Sequence, residues 1–248
     1  MPLVGSLDVS GRVADAPLAD DLATEPLTLE GAEVFQAMFE IESGPMTDVL
    51  PPALHPTIPP TVTFNWLRGA NDDIGSFIVC SVRLGSRAGV RPRGFVIGAR
   101  VTGDDAALRS KWGYPTSPAD VRLERRHHEV VASVVDDGRT ILAVTMQDPE
   151  PISGTDVQWA ASMHLARVVR EGAEVPRLVQ VDPEVSIRKA DRGVPRLDAF
   201  DADAWGDARI VLTQPVMAWY LTGDVTMPRI RYLCDPAVAA LQGTEKIA

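Results

Sequence analysis

The sequence predicts a mainly β-stranded protein, an antiparallel barrel or sandwich with a few short helices packed outside, and three observations lead to this prediction. Short apolar runs recur along the chain, and each is bounded by Gly, Pro, Asn or Asp, the usual punctuation between strands. Strand and helix segments do not alternate in the regular manner of βαβ units. The length of 248 residues is one that barrels and sandwiches often fill as a single domain.

The strands are predicted from these runs in chain order. Residues 1–30 are polar and interrupted by Gly and Pro, so we predict an N-terminal arm at 1–30 and one domain at 31–248. Asp136, Asp137 and Gly138 stand between two apolar runs and predict a hairpin. The predicted strands are 34–41, 62–67, 76–84, 94–101, 121–123, 129–135, 139–146, 178–181, 185–188, 208–212, 216–225 and 230–233.

Helices are predicted at three places, residues 103–112, 156–172 and 235–242. The first of them has acidic residues in its first turn and a basic pair in its last turn. Negative charges near the N-terminus and positive charges near the C-terminus interact favourably with the helix dipole, so this arrangement favours a helix there.

The charge of the chain narrows the classes of partner. Asp and Glu number 34 against 24 Lys and Arg, which gives a net charge of −10. Such a surface repels phosphate backbones and anionic lipids, so we expect neither a nucleic-acid nor a membrane partner. No signal-peptide pattern opens the chain and no apolar run is long enough to span a bilayer, so we expect a cytoplasmic protein with Cys80 and Cys234 as free thiols.

The common catalytic motifs are absent from the sequence. It contains no glycine-rich phosphate loop, no nucleophile elbow, no paired zinc cysteines and no HExxH. We therefore expect no metal and no cofactor, and the motifs identify no catalytic residue. His127 and His128 adjoin a turn in a charged cluster, and we predict a surface position for them.

One segment, GARVTGDDAALRSKWGYPTSPADVRL at 98–123, has a more specific pattern. It resembles the acetoacetate decarboxylase family, whose members show an arginine, a tyrosine–proline pair and then two adjacent lysines before a strand. Arg109, Tyr114 and Pro115 match that pattern, and the order of the other elements extends the resemblance over about residues 30–236. The resemblance implies a closed, cone-like antiparallel β architecture with an internal pocket, assembled into a homo-oligomer.

The chain departs from the family at the reacting groups. The resemblance implies that the second lysine of the pair forms a Schiff base with a β-keto acid. Thr116 and Ser117 occupy those two positions here, and a hydroxyl cannot form an imine. By the same resemblance, the pocket arginine of the family falls near Ala32, and its two pocket glutamates fall near Asn65 and Val79.

The preferred interpretation is an enzyme that binds a small oxo-acid, carboxylate or polyketide-like ligand and does not use a Schiff base. Hydration, dehydration or cyclisation would suit a pocket of hydroxyl and amide groups. The residues predicted to bind the substrate are Thr116, Ser117, Tyr114, Arg109 and Asn65. Arg109 has two readings, since it either holds a carboxylate in a bidentate contact or pairs with its own loop.

Two alternatives remain open from the sequence. One is a non-catalytic binding protein that keeps the pocket and has lost the chemistry. The other is a true decarboxylase in which Lys111, five residues before Thr116, supplies the amine. Lys111 is also well placed to be a solvated lysine at a helix C-terminus, and that reading needs no chemistry.

Overall fold

The computed structural model describes residues 3–247, and in this range eighteen strands form two sheets of fourteen and four strands. The helices are α1 Ser10–Val13, α2 Ala106–Trp112 and α3 Ala240–Gly243, with 3-10 turns at Gly154–Asp156 and Asp203–Trp205. The strands are β1 Leu18–Ala19, β2 Leu27–Ile41, β3 His55–Pro56, β4 Thr61–Asn71, β5 Gly75–Ala88, β6 Arg91–Gly103, β7 Thr116–Pro118, β8 Asp120–Arg125, β9 Glu129–Asp136, β10 Arg139–Gln147, β11 Glu150–Ile152, β12 Ala161–Arg170, β13 Ala173–Val181, β14 Glu184–Gly193, β15 Pro195–Phe200, β16 Leu212–Met227, β17 Tyr232–Cys234 and β18 Thr244–Lys246.

The larger sheet follows the order β11-β14-β16-β2-β4-β5-β6-β12-β13-β17-β18, with β1, β3 and β7 paired beside this path. Its end strands β11 and β18 do not pair with each other in the described range, so the sheet is open and the predicted closed barrel is not confirmed. The predicted antiparallel arrangement holds for most pairs. Three pairs are parallel, namely β1 with β12, β6 with β12 and β6 with β7.

Each face of the larger sheet packs against a different partner. One face carries Phe64, Trp66 and Val82, which pack with Leu123 and Val134 of the smaller sheet, ordered β15-β10-β9-β8. The other face surrounds an interior to which β2, β4, β5, β6, β12, β13, β16 and α2 contribute buried side chains. The fold is therefore a double layer of sheets, and the second face provides the enclosed space in which a site can form.

Most of the predicted strands are confirmed. The predictions at 34–41, 62–67, 76–84 and 94–101 fall within β2, β4, β5 and β6, each of which extends further. The hairpin at 136–138 joins β9 to β10, and Asp137 and Gly138 have φ values of 48° and 76°. Both residues thus adopt the left-handed conformation that this two-residue turn needs. The predicted strand at 208–212 is wrong, because only Leu212 belongs to a strand, the start of β16.

The predicted helix at 156–172 is also wrong, since this segment forms β12. The strand pairs with β6 on one side and β13 on the other, and nearly all of its residues are buried. A strand that is buried on both faces reads as a continuous apolar run without alternation, and such a run does not distinguish a strand from a buried helix.

The predicted helix at 103–112 is confirmed as α2, whereas the one at 235–242 is reduced to the single turn of α3. In the N-terminal region, β1 pairs with β12, and the domain boundary at residue 30 stays a prediction. No helix in the described part of the chain is long and apolar enough to cross a membrane.

Candidate functional site

The interior of the larger sheet changes from apolar to polar along its strands. Directly opposed residues of neighbouring strands share a face, so the pairing of β2, β4 and β5 arranges their inward side chains in rows. From the deep end outward, the rows are Val34–Leu67–Val79, then Gln36–Asn65–Ser81, then Met38–Thr63–Arg83, and finally Thr61 beside Gly85. The row of Val34, Leu67 and Val79 is apolar, and the next row outward, two residues further along each strand, is polar.

A cavity opens above the outer rows, where two glycines lie side by side. Gly85 of β5 pairs with Gly94 of β6, and their lack of Cβ atoms lets the hydroxyls of Thr57 and Thr61 approach Gly85 and the Arg83 side chain approach Gly94. The cavity has a volume of about 430 Å³. Its walls are formed by Gln36, Met38, Thr57, Thr61, Thr63, Arg83, Gly85, Ser86, Pro92, Arg93, Gly94, Gln158, Trp159 and Ala160.

Two charged groups line this cavity, Arg83 and Arg93, and both residues are buried. Arg93 donates to the Pro92 carbonyl oxygen at 2.8 Å, whereas Arg83 lies in the inward row with Met38 and Thr63. The Arg83 side chain is 5% exposed, its Nε donates to Ser81 Oγ at 3.0 Å, and its guanidinium lies 5.9 Å from the Trp159 ring centre. Within residues 3–247 no carboxylate is in salt-bridge contact with it, and no protein acceptor binds its two terminal nitrogens. Burial lowers the pKa of this guanidinium. A buried cation without a counter-ion is costly, so this geometry favours an anionic ligand.

Behind Arg83 lies a chain of neutral polar groups. His164 Nδ1 is 2.8 Å from the Trp112 carbonyl oxygen, which can only accept, so Nδ1 carries the proton. His164 Nε2 then accepts from Ser162 Oγ at 2.7 Å. The Tyr114 ring packs against the imidazole at a centroid distance of 4.1 Å, with the two ring planes tilted by 57°.

Burial keeps this chain uncharged. Burial is the main cause that lowers the pKa of His164 to about 3; the hydrogen bond to Trp112 opposes this shift, and the positive charge of Arg83 adds to it. Burial also raises the pKa of Tyr114, while Arg83 and Ser162 partly oppose that shift. The imidazole and the phenol are therefore both neutral near pH 7.

The turn after α2 positions Tyr114 in the interior. Gly113 ends the helix with φ 65°, and a Cβ at this position would lie 2.9 Å from Ala166 Cβ and 3.2 Å from Val179 Cγ2. Only glycine combines this left-handed conformation with so close an approach to β12 and β13. The Gly-Tyr-Pro turn thus directs the Tyr114 ring onto His164.

The structure separates the predicted substrate-binding residues. Asn65 Oδ1 accepts from Gln36 Nε2 at 2.6 Å at the inner end of the cavity, and Tyr114 lies beside Arg83. Thr116 is buried and donates to Asp105 Oδ2 at 2.6 Å.

Ser117 and Thr116 instead line a second cavity of about 460 Å³, whose walls include Arg100 and Trp205. Arg109 borders neither cavity, and its guanidinium donates to the Thr116 carbonyl oxygen. None of the five predicted residues lines the Arg83 cavity: Asn65 contacts its wall residue Gln36, Tyr114 lies beside Arg83, and the other three lie elsewhere.

The three lysines lie outside the Arg83 cavity. Lys111 Nζ is paired with Asp21 Oδ2 at 2.5 Å, and Lys189 Nζ is 3.3 Å from Asp191 Oδ2. Lys246 is exposed on β18. Nor does the lining of the cavity include an Asp, Glu, His, Cys or Tyr, and the described residues contain no cluster of His, Cys, Asp and Glu suited to a metal ion.

Sequence reasoning missed the central residues of this site. Arg83 lies in the run FIVCSVRLG, where Ser81 and Arg83 alternate with apolar residues, and that alternation is a signal for polar groups on one strand face. His164 was assigned to the wrongly predicted helix, so its inward position was not recognised. The predicted surface position of His127 and His128 is confirmed, and both are exposed.

The fold resembles several solved structures. Acetoacetate decarboxylase from Legionella pneumophila has a TM-score of 0.70 and 17% identity, with 84% of this chain and 86% of that chain covered. The enduracididine biosynthesis enzyme MppR, solved with pyruvate, has a TM-score of 0.65 and 16% identity, with 84% and 91% covered. An acetoacetate decarboxylase-like enzyme from Sphingomonas wittichii has a TM-score of 0.63 and 13% identity, with 83% and 92% covered.

No curated protein matches the chain in sequence. The sequence model of acetoacetate decarboxylase (ADC), in contrast, matches residues 15–236, which is most of the chain. The strands that build the Arg83 cavity all lie within the matched range. The protein is therefore a member of the acetoacetate decarboxylase family.

Proposed function

We propose that this protein binds a small carboxylate of the oxo-acid or polyketide-like class in the cavity at Arg83. The observation that carries the proposal is the buried guanidinium of Arg83, which has no counter-carboxylate among residues 3–247. A planar guanidinium with both terminal nitrogens free matches a carboxylate in a bidentate contact. The carboxylate of the ligand would then supply the negative charge opposite the Arg83 guanidinium.

The remaining walls suit the organic part of such a ligand. Met38 and Trp159 provide apolar surface, and Gln36, Thr61 and Thr63 provide polar groups. A mixture of apolar walls and a few oriented polar groups is typical of a small-molecule site. Among the structural relatives, one bears the name of a decarboxylase of acetoacetate and another was solved with pyruvate, and both compounds are small oxo-acids.

The lining of the cavity favours binding without turnover, because it contains none of the usual acid, base or amine groups. A second candidate is an enzyme of non-Schiff-base chemistry, such as hydration, dehydration or cyclisation. The Tyr114–Ser162–His164 chain favours it, since these groups lie next to Arg83 and can relay a proton. A decarboxylase that uses Lys111 has less support, because that amine is paired with Asp21.

Replacement of Arg83 by methionine tests the binding site. In calorimetric titrations with hexanoate, acetoacetate and pyruvate, we expect Arg83→Met to weaken the binding of carboxylates at least tenfold, since a charge-assisted bidentate contact contributes about 1.5–3 kcal/mol. Methionine removes an unpaired buried charge, so the variant should fold at least as stably as the wild type. Arg100→Met is the control, because Arg100 donates to Asp136 and lies outside this cavity.

Undiminished carboxylate binding by Arg83→Met would refute the proposal, as would wild-type protein that binds none of the three acids. Proton NMR of acetoacetate in heavy water then separates binding from proton-transfer chemistry. Borohydride reduction in the presence of acetoacetate, followed by mass analysis of the intact protein, tests Lys111, since a stable adduct on that residue would restore the decarboxylase.

A further inference from the structure

We infer that the ligand carries a second oxygen-bearing group near the end of its carbon chain that is far from the carboxylate, and that Thr61 recognises this group. The inference rests on the proposed carboxylate contact at Arg83. It assigns the ligand to the class of acids with about five or six carbons and an oxo or hydroxyl group near the far end, and it makes Thr61 a specificity-determining residue.

The separation follows from the rows of the sheet. A Cβ on Gly85 would lie 2.3 Å from Thr61 Oγ1, so the Thr61 hydroxyl stands directly above Gly85. Gly85 is two residues beyond Arg83 on β5, and two residues of an antiparallel strand span about 7 Å. The Arg83 side chain also bends away from Gly85, because its Nε donates to Ser81, two residues in the other direction. The cation and the Thr61 hydroxyl therefore occupy opposite ends of the cavity.

The hydroxyl end has unused hydrogen-bonding capacity. Thr57 Oγ1 donates to the Gly85 carbonyl oxygen at 3.3 Å. Thr61 and Thr63 are half-buried, and within the described range no protein partner engages their hydroxyls. A hydroxyl both donates and accepts, so Thr61 can bind either a carbonyl or a hydroxyl group of a ligand.

Apolar groups lie on the cavity wall alongside these two ends. Met38 is directly opposite Thr63 in the sheet, and Trp159 is close to the Arg83 guanidinium. Carbons without oxygen substituents suit these surfaces better than hydroxylated carbons do. Each end contacts the ligand through a hydrogen bond of about 3 Å, and a chain of about five or six carbons spans the remaining distance between the cation and the Thr61 hydroxyl. Pyruvate, with three carbons, is too short to contact both ends together.

Titration calorimetry with a pair of matched acids tests the inference. The probes are 5-oxohexanoate and hexanoate, which share the carboxylate and the chain length. We expect the wild type to bind 5-oxohexanoate about three- to tenfold more tightly, the range of one hydrogen bond. Thr61→Val, which removes the hydroxyl and keeps the shape, should abolish this preference, so that the ratio of the two affinities falls to about one.

Thr213→Val on β16 is the matched control, because Thr213 is exposed and lies outside the Arg83 cavity. Equal affinities of the wild type for the two acids would overturn the inference, and so would a preference that survives in Thr61→Val. Arg83→Met separates the two hypotheses. If it weakens hexanoate binding while the role of Thr61 fails, only the inference is lost; if hexanoate binding does not depend on Arg83, the proposed function fails as well.

Discussion

At the residue scale, His164 is the interior group whose protonation should affect the stability of the fold. Burial lowers its pKa to about 3 in the folded protein from 6.5 in an unfolded chain. Between these two values the unfolded chain binds one proton more than the native state does. The stabilisation is thus fully present above about pH 6.5, and it is lost as the pH falls, by about 1.4 kcal/mol per pH unit.

His164→Asn should therefore reduce the acid sensitivity of the protein. Asparagine can still donate to the Trp112 carbonyl oxygen, but it does not titrate. We expect the slope of the unfolding free energy between pH 6 and pH 4, measured with urea, to fall by about 1.4 kcal/mol per pH unit relative to the wild type. His127→Asn is the control, since His127 is exposed. An unchanged slope in His164→Asn would show that this imidazole is not the group responsible.

Two neighbours of the site are among the residues predicted from the sequence, and the key cation is not. Tyr114 belongs to a short motif with a definite turn, and Asn65 is predicted through the resemblance to the family. Arg83 became recognisable as a site residue only through what surrounds it, which is a set of strands that places no carboxylate in contact with it. Whether a carboxylate lies next to Arg83 depends on residues distant in sequence, so no local sequence pattern around Arg83 can predict it.

At the scale of elements, the β5–β6 pair determines the shape of the cavity through its two glycines. A Cβ at Gly94 would lie 3.1 Å from Arg83 Cβ and 3.3 Å from Arg83 Cδ. Gly94→Ala should therefore displace the Arg83 side chain, which can rotate beyond its Cβ, while the contact at Cβ itself takes a shift of a few tenths of an ångström between the two strands. We expect hexanoate binding to weaken about tenfold or more, while the unfolding free energy changes by about 1–3 kcal/mol or less.

Gly44→Ala is the matched control for this substitution, because a Cβ at Gly44 would meet no atom within 4 Å. Wild-type affinity for hexanoate in Gly94→Ala would mean that the orientation of Arg83 does not matter for binding. Calorimetry gives the affinity and thermal melting gives the stability, so the two effects are measured separately.

The element β12 also explains why Ser162 and His164 were not predicted from the sequence to lie near the site. Ala, Met, Leu and Arg are good helix formers, and they fill the segment that forms β12. The partners of this strand, β6 and β13, override that local preference. A strand reading would have placed Ser162 and His164 on the same face, whereas a helix reading separated them. Because residues 156–172 are wrongly predicted to form a helix, the sequence does not predict that Ser162 and His164 lie together in the interior.

At the scale of the whole molecule, arginines of one sheet pair with carboxylates of the other. Arg100 of β6 donates to Asp136 of β9 at 3.0 Å, and Arg125 of β8 lies 3.3 Å from Asp191 of β14. The sequence predicts two layers of strands, because their apolar faces require cover. It does not predict whether the larger sheet closes, since closure depends on the pairing of two end strands far apart in the chain.

The pair of Arg125 and Asp191 allows a test of how strongly the sheets are held together. Asp191 is only 1% exposed, and Asp191→Asn keeps its shape while removing the charge that opposes Arg125 and also Lys189, whose Nζ lies 3.3 Å from the same carboxylate oxygen. Breaking a buried pair leaves the partner uncompensated, so we expect a loss of about 2 kcal/mol or more in urea unfolding, with an unchanged dependence on urea concentration. Asp120→Asn on β8 is the control, because its pair with Arg122 is exposed and should contribute less than about 1 kcal/mol. Equal losses in the two variants would show that burial adds nothing to this contact.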